Sequence, residues 1–177
     1  MRHTNWYVIT GAPCSGKTAV ISGLEQKGYQ VVHEAARAFI DERLQKGQSI
    51  NRIKADILSF ESRILQIKID IEQSLPERAV IFLDRAVPDS IAYYMLEGLN
   101  PDDPIHKSRL TRYKKIFLFE RLRFEKDDVR SEDEKIAERL DRLLQKSYEM
   151  LDYDIIRVPV MSVKRRIDFI IQAISKN

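Results

Sequence analysis

The sequence has one cysteine, few glycines and prolines, and no long apolar run. Because Cys14 is the only cysteine among 177 residues, no intramolecular disulfide can form, and we expect a reducing, cytoplasmic location. Six glycines and six prolines are too few for a fibrous or low-complexity chain. No apolar run approaches the roughly 20 residues that cross a bilayer, so we expect no membrane association. These absences favour a soluble globular protein.

The chain also lacks a strong excess of charge of either sign. Its 30 basic and 27 acidic residues give a formal net charge of +3. Nucleic-acid-binding domains usually carry a clearer basic excess, so we do not expect nucleic acid as a partner. A chain of this length, with 44% hydrophobic residues, suits a single domain over residues 1–177.

Five short apolar runs alternate with longer amphipathic segments. Runs rich in valine, isoleucine and phenylalanine are typical of strands that are buried on both faces of a parallel sheet. They are WYVIT at 6–10, YQVV at 29–32, AVIFLD at 79–84, KIFLFE at 115–120 and DIIRV at 154–158. This alternation predicts an α/β fold with a five-stranded parallel sheet.

The segments between the runs predict helices with recognisable ends. Helices are expected over 17–27 and 35–46, each closed by the glycine that follows. The sequence SEDE at 131–134 has the form of a capping box and predicts a helix there. Ser162 is expected to begin the last helix. In the helix that SEDE begins, four residues are expected to face the core: Ile136, Leu140, Leu143 and Leu144.

A stripe of apolar residues predicts one long helix over residues 50–72. The stripe has alternating steps of three and four and consists of Ile53, Ile57, Phe60, Ile64, Ile67 and Ile71. Such a stripe fits a helix packed on the sheet, and it also fits a helix pair at a homodimer interface. We keep both interpretations open.

The stretch GAPCSGKT at residues 11–18 matches the phosphate-binding pattern G-x-x-x-x-G-K-[ST] in full. It follows a predicted strand and opens a predicted helix, which is the context that the mechanism requires. Its glycines let successive backbone N–H groups face one anion, and the start of the helix adds partial positive charge. The stretch therefore predicts a nucleotide site formed by Gly11, Ala12, Pro13, Cys14, Ser15, Gly16, Lys17 and Thr18.

Two of these residues have specific predicted roles. Lys17 is expected to reach the β and γ phosphates of ATP, and Thr18 to bind Mg²⁺. Asp84 ends the third predicted strand, where a carboxylate would lie beside the same Mg²⁺. Arg85 follows directly, and its guanidinium can hold a phosphate or substrate oxygen. The alternative for Asp84 and Arg85 is a solvated ion pair at the end of a strand.

The run VVHEAAR places an acid at the end of the second predicted strand. Glu34 there can accept a proton from an attacking hydroxyl group, with Arg37 one helical turn further on to orient the acceptor. The alternative is that Glu34 only favours the start of the next helix and that Arg37 lies on the surface. Either Glu34 or Asp84 can be the general base.

The segment 121–134 follows the fourth predicted strand and carries three arginines. Small kinases need a lid at this point, because the transferring phosphoryl group must be shielded from water and its charge neutralised. Arg121 and Arg123 are candidates for nucleotide binding, and Arg130 is a candidate for catalysis. An exposed charged loop explains any one of them equally well.

Three stretches together resemble the NadR-like AAA-type P-loop family, typified by the nicotinamide riboside kinase domain of the bacterial NAD regulator. They are ITGAPCSGKTAVISGLEQKGYQVVHEAAR, FLDRAVPDSIAYY and DDVRSEDEKIAERLDRLLQKSYEMLDYDIIRVP, which span most of the chain. The resemblance implies a three-layer, nucleotide-kinase-like P-loop fold with strand order 2-3-1-4-5 and a short lid.

The stretch FLDRAVPDSIAYY is also similar, more distantly, to deoxynucleoside kinases. That resemblance implies Glu34 as the base, with Asp84 and Arg85 as the magnesium and phosphate pair. Ala86 stands where those kinases commonly have serine, so the acceptor is left open. Tyr93 is a candidate for the acceptor pocket, although aromatic residues at helical spacing are more often buried in the core.

Two functions remain compatible with the sequence. The first is a kinase that uses ATP and Mg²⁺ to phosphorylate a small-molecule hydroxyl group. The second is a nucleotide-dependent regulatory or partner-binding ATPase that lacks such an acceptor. A switch GTPase is disfavoured because no N-K-x-D motif occurs, and a ring-forming motor because the chain has no length for a further helical domain.

Overall fold

A computed structural model describes residues 1–122 and 131–175 of the chain. Five of its strands form one parallel sheet in the order β3-β4-β2-β6-β7, and two short strands, β1 and β5, pair separately. The strands are β1 (Arg2–His3), β2 (Trp6–Thr10), β3 (Gln30–Val32), β4 (Ile81–Asp84), β5 (Thr111–Arg112), β6 (Lys115–Phe119) and β7 (Ile155–Val158). Counted along the five-stranded sheet this is the order 2-3-1-4-5, so the predicted fold class is confirmed.

The described residues also form eight helices. They are α1 (Lys17–Gln26), α2 (Ala35–Gln45), α3 (Ile50–Ile53), α4 (Ile57–Ser74), α5 (Asp89–Leu96), α6 (Asp102–Ser108), α7 (Ser131–Glu149) and α8 (Val163–Ser175). The predicted ends of the first two helices agree with the structure within about one residue. None of the described helices is both long and apolar enough to cross a membrane.

The central strand β2 explains why the strand runs are continuously apolar. Its side chains alternate between two separate clusters, with Trp6 and Val8 on one face and Tyr7 and Ile9 on the other. Helices α1 and α8 cover the second face through Ile21 and other apolar residues. Helices α5 and α7 cover the first face. Both faces of the sheet at β2 are covered by apolar side chains, and polar residues therefore occur at the ends of the strands.

The prediction of one long helix over 50–72 is wrong, because the helix is interrupted at residues 54–56, between α3 and α4. Asp56 accepts a hydrogen bond from the backbone N–H of Ser59 at 3.0 Å and so caps the start of α4. Ile57, expected within the apolar stripe, is 40% exposed. The buried face of α4 instead includes three charged residues, Glu61, Lys68 and Glu72. Homodimer formation through this region stays a prediction.

The expected inward face of α7 is wrong at one position. Leu140 and Leu144 are buried against α5 and β6, whereas Ile136 is 53% exposed. The apolar cluster on this face begins at Leu140, so the first turns of the helix extend beyond it.

Candidate active site

Residues 11–16 form a tight loop between β2 and α1 at the carboxyl end of the sheet. Gly11 has φ +146° and Gly16 has φ +82°, and Cys14 between them also has a positive φ of +60°. A Cβ atom on Gly11 would lie only 2.8 Å from the carbonyl oxygen of Phe119 on β6. The glycine at position 11 is therefore required both by the backbone conformation and by the close approach of the neighbouring strand.

The side chain of Lys17 is held inside this loop. Its Nζ donates hydrogen bonds to the carbonyl oxygens of Gly11 at 2.8 Å and Ala12 at 3.0 Å, and to Ser15 Oγ at 3.2 Å. Burial, together with the nearby Arg85 charge, lowers the pKa of Lys17 to about 8. The loop thus concentrates a positive charge among backbone groups at the start of a helix, which is suited to bind an anion.

Arg166 of α8, which was not predicted from the sequence, supports the phosphate loop through hydrogen bonds to backbone carbonyl groups. Its guanidinium donates hydrogen bonds to the carbonyl oxygens of Ser15, Pro159 and Glu120, and it lies 4.9 Å from the ring centroid of Phe119. Only 2% of Arg166 is exposed. It therefore ties the phosphate loop to the ends of β6 and β7. Nothing in the motif itself signals this contact, which joins residues 151 positions apart.

Asp84 ends β4 beside the loop, and one of its oxygens has no hydrogen-bond partner among residues 1–122 and 131–175. The side chain is buried, and its Oδ1 accepts no hydrogen bond from the described residues. Burial raises the pKa of Asp84 to about 6, against the opposing effect of the Lys17 charge. A buried carboxylate oxygen without a partner is costly unless another group neutralises it.

These features fit Mg²⁺, which the fold implies. Mg²⁺ is commonly bound through one or two protein oxygens, with waters and phosphate oxygens completing the octahedron. The free Oδ1 of Asp84 and the exposed Thr18 at the start of α1 offer such oxygens. The described residues hold no group of three or more His, Cys, Asp or Glu that could form an all-protein metal site. The donor set thus suits a hydrated, phosphate-bound ion and not a closed structural site.

Arg85 lies between two carboxylates. Its Nε donates to Glu34 Oε1 at 2.9 Å, and its NH1 lies 3.4 Å from Asp89 Oδ1. The Arg85 side chain is 4% exposed and that of Glu34 is 30% exposed, so Glu34 is the member that faces solvent. The guanidinium also lies 5.3 Å from the ring centroid of Tyr93. The structure therefore brings together the predicted residues Glu34, Arg85 and Tyr93.

The backbone of Arg85 is unusual. Its φ of +68° is in the left-handed region, which is rare for a residue with a side chain. The backbone N–H of Arg85 donates to the carbonyl oxygen of Ile9 at 3.0 Å, which ties this turn to the strand before the phosphate loop. Strained conformations of this kind persist when surrounding contacts enforce them, and they concentrate at functional sites.

Other predicted residues are not brought to this group. Arg37 is 76% exposed and pairs with Asp41, its neighbour on α2, at 3.0 Å. Arg121 lies 4.0 Å from both Glu134 and Glu138 of α7. Arg123 and Arg130 lie outside the described residues. The roles given to these four arginines stay predictions.

Two further charged residues near the site were missed. Asp89 is fully buried, and Lys68 is buried with its Nζ donating to Ser90 Oγ at 3.0 Å. Asp89 stands four residues after Arg85 at the start of a helix, a spacing that could have signalled an ion pair. Lys68 was not predicted to be buried, because the apolar stripe was taken to account for the whole buried face of α4.

Comparisons with known proteins identify the family and the fold of the chain. A family model described as an AAA domain matches residues 6–166. The crystal structure of the NadR protein in complex with NR is similar with a TM-score of 0.68 and 17% identity, covering 98% of this chain and 50% of that chain. This chain therefore spans half the length of that protein. A comparison with curated proteins found no match.

Two other solved structures are similar over nearly their whole length. Thymidylate kinase from Ehrlichia chaffeensis has a TM-score of 0.68 and 12% identity, covering 98% of this chain and 99% of that chain. Deoxyadenosine kinase from M. mycoides has a TM-score of 0.62 and 18% identity, covering 96% of this chain and 98% of that chain. At these identities the likeness establishes a shared P-loop kinase fold.

Proposed function

The chain belongs to the AAA domain family, and from that premise we propose that it is a small-molecule kinase, which transfers the γ-phosphoryl group of ATP to a hydroxyl group. The observation that carries the proposal is the group at the ends of β3 and β4. There Glu34 is partly exposed and is held by Arg85 at 2.9 Å, and its charge is close enough to raise the pKa values of both Asp84 and Lys17 of the phosphate loop. A regulatory ATPase would need the loop and Asp84 but has no evident use for an anchored, solvent-facing Glu34.

On the donor side, the loop residues bind the phosphates. Backbone N–H groups of residues 11–16 and the Lys17 ammonium group would neutralise and orient the β and γ phosphates. Thr18 and Asp84 would hold Mg²⁺, which supplies charge neutralisation to the transferring group when it is bound. Arg166 keeps the loop in this shape through its hydrogen bond to the Ser15 carbonyl.

On the acceptor side, a carboxylate takes the proton. The acceptor oxygen forms its bond to the γ-phosphorus while the bond to the bridging oxygen of ADP breaks, and the hydroxyl proton passes to Glu34 or Asp84. Arg85 holds Glu34 in place, and Tyr93, which lies beside Arg85, would form one wall of the acceptor pocket. The predicted lid arginines, Arg121, Arg123 and Arg130, would neutralise charge on the transferring group.

The printed names of the similar structures suggest which acceptors to test first. They are a NadR protein with NR, a thymidylate kinase and a deoxyadenosine kinase, so nucleosides and nucleoside monophosphates form a sensible first panel. Each acceptor would be incubated with ATP, Mg²⁺ and the protein, and products read by mass spectrometry. A product 80 Da heavier than one acceptor is expected.

Two variants make the experiment specific. Asp84→Asn should abolish transfer at millimolar Mg²⁺, whereas Asp102→Asn, an exposed acid at the start of α6, should leave it unchanged. ATP hydrolysis that is equal with and without every acceptor, together with partner binding that changes with the nucleotide, would contradict the kinase proposal and support the regulatory ATPase.

A further inference from the structure

Asp89 is a fully buried carboxylate that meets four hydrogen-bond donors. Its Oδ1 accepts from Thr10 Oγ1 at 2.5 Å and faces Arg85 NH1 at 3.4 Å. Its Oδ2 accepts from the backbone N–H of Ala86 at 2.9 Å and from the hydroxyl group of Tyr148. Because Asp89 is 0% exposed, these protein donors take the place of the water molecules that would solvate an acid on the surface.

The four donors come from three separate parts of the site. Thr10 is the last residue of β2, directly before the phosphate loop. Arg85 and Ala86 form the turn after β4, where Arg85 holds Glu34. Tyr148 is buried on α7, the helix that follows the predicted lid segment. One side chain therefore joins the strand before the loop, the turn at the acceptor side and the helix beyond the lid.

The carboxylate is held in its charged form. Burial alone would raise the pKa of Asp89, but the charges of Lys68 and Arg85 and the hydrogen bonds from Ala86 and Thr10 bring the pKa below its usual value. The buried guanidinium of Arg85 therefore lies between two acids, the buried Asp89 and the partly exposed Glu34.

Asp89 also supports the strained backbone at Arg85. The left-handed φ of Arg85 requires contacts that enforce it, and the N–H of the next residue, Ala86, donates to Asp89. Asp89 thereby holds both the backbone turn and the guanidinium of Arg85. If this anchor were lost, Arg85 would be free to leave its left-handed conformation and would no longer present Glu34 at a fixed position.

We propose that Asp89 is a positioning residue for phosphoryl transfer, which acts through Arg85 to hold Glu34 against the acceptor hydroxyl group. This inference rests on the proposed kinase function. Because Asp89 is fully buried, we expect it to touch neither substrate itself. A misplacement of about 1 Å at a reacting group commonly costs about 100-fold in rate, so the anchor of Arg85 matters even though it is remote from the transferred group.

The main test is a double-mutant cycle with Asp89→Asn and Arg85→Met, measured with the acceptor found for the wild type. Asp89→Asn alone should lower kcat by about 10- to 100-fold and change the KM for ATP by less than about threefold. In the Arg85→Met background, Asp89→Asn should lower kcat by less than about threefold further, because its effect passes through Arg85. Losses that simply multiply would overturn the proposal.

A second pair of variants keeps the test valid if Asp89→Asn does not fold. Tyr148 and Tyr113 are both buried tyrosines whose hydroxyl groups donate to a buried carboxylate, Asp89 and Glu72 respectively. Tyr148→Phe should lower kcat by about three- to tenfold, whereas Tyr113→Phe, with a similar loss of melting temperature, should leave kcat unchanged. Equal kcat values for the two variants would contradict the proposal.

The two levels of hypothesis fail in different ways. If the wild type transfers phosphate to no acceptor, the proposed function is wrong. If the wild type transfers phosphate but the losses multiply in the cycle, only the role of Asp89 is wrong. Circular dichroism and melting temperatures of all variants, with assays run well below the lowest melting temperature, exclude unfolding as the cause of a lower kcat.

Discussion

The guanidinium of Arg166 donates a hydrogen bond to the carbonyl oxygen of Ser15, and so helix α8 supports the phosphate loop. The same guanidinium donates to the carbonyl oxygens of Pro159 and Glu120, which follow β7 and β6. Three loops at the carboxyl edge of the sheet are therefore fixed relative to one another by one buried side chain.

Replacing Arg166 should weaken nucleotide binding. Arg166→Met removes the donors of three carbonyl oxygens, and we expect a loss of about 2 kcal/mol in stability and about tenfold in ATP affinity. Calorimetric titration with ATP measures the affinity, and urea denaturation the stability. Arg165→Met is the matched control, because Arg165 is exposed on the same helix. Equal ATP affinities for the two variants would contradict the bracing role of Arg166.

Replacing Lys17 should separate function from stability. Under the proposed function, Lys17→Met should lower turnover by at least about 100-fold, because it removes the charge proposed to neutralise the β and γ phosphates. The same variant should be at least as stable as the wild type near pH 7, since burial of the ammonium group is unfavourable and already lowers its pKa to about 8. Lys27→Met, an exposed control at the end of α1, should change neither quantity. A large loss of stability in Lys17→Met would indicate a structural role instead.

A methyl group at position 11 should be poorly tolerated. Gly11→Ala places Cβ 2.8 Å from the Phe119 carbonyl oxygen in addition to the strain of a positive φ, so we expect a loss of about 3 kcal/mol and no ATP binding. Gly47 also has a positive φ, of +80°, but has open space around it. Gly47→Ala should therefore cost only about 1 kcal/mol. Melting temperatures of the two variants give the comparison, and similar values would show that the close approach is unimportant.

The buried acid Glu72 should make stability depend on pH. Glu72 accepts hydrogen bonds from Tyr113 Oη and from the backbone N–H of Val87, yet burial raises its pKa from 4.5 to about 7. The folded state thus binds the proton more tightly than the unfolded state. The stabilisation from this group is complete below about pH 4.5 and is lost as the pH rises through about 7.

A neutral substitution isolates this contribution. Relative to the wild type, Glu72→Gln should gain about 3 kcal/mol of unfolding free energy between pH 4.5 and pH 8, a shift of about 2.5 pKa units. Urea denaturation across this range measures the difference. Glu77→Gln, an exposed control just beyond α4, should show no such gain. A difference between Glu72→Gln and wild type that stays constant with pH would mean that the Glu72 carboxyl is not neutral in the folded protein.

The phosphate loop and the elements around it were predictable from the order of the residues alone. The loop is local, since eight consecutive residues contain the glycines, the lysine and the hydroxyl that its geometry needs. The strands were predictable because a sheet that is dry on both faces leaves continuous apolar runs, as in β2. Asp84 and Glu34 were singled out for a related reason, because an acid that ends such a run, or follows it within two residues, lies at the edge of the sheet.

The pairing of the buried charges was visible only once the helices and strands were packed together. The apolar stripe around Ile64 predicted a helix, but it gave no sign that Lys68 and Glu72 share the buried face, because burial of a charge depends on partners from other elements. Arg166 and Tyr148 reach the site from helices far along the chain. Sequence spacing determines which residues share a face or an edge, whereas the partners of a buried charge depend on how separate elements pack. For this protein the phosphate loop follows from the first rule, and the Asp89–Arg85–Glu34 arrangement follows from the second.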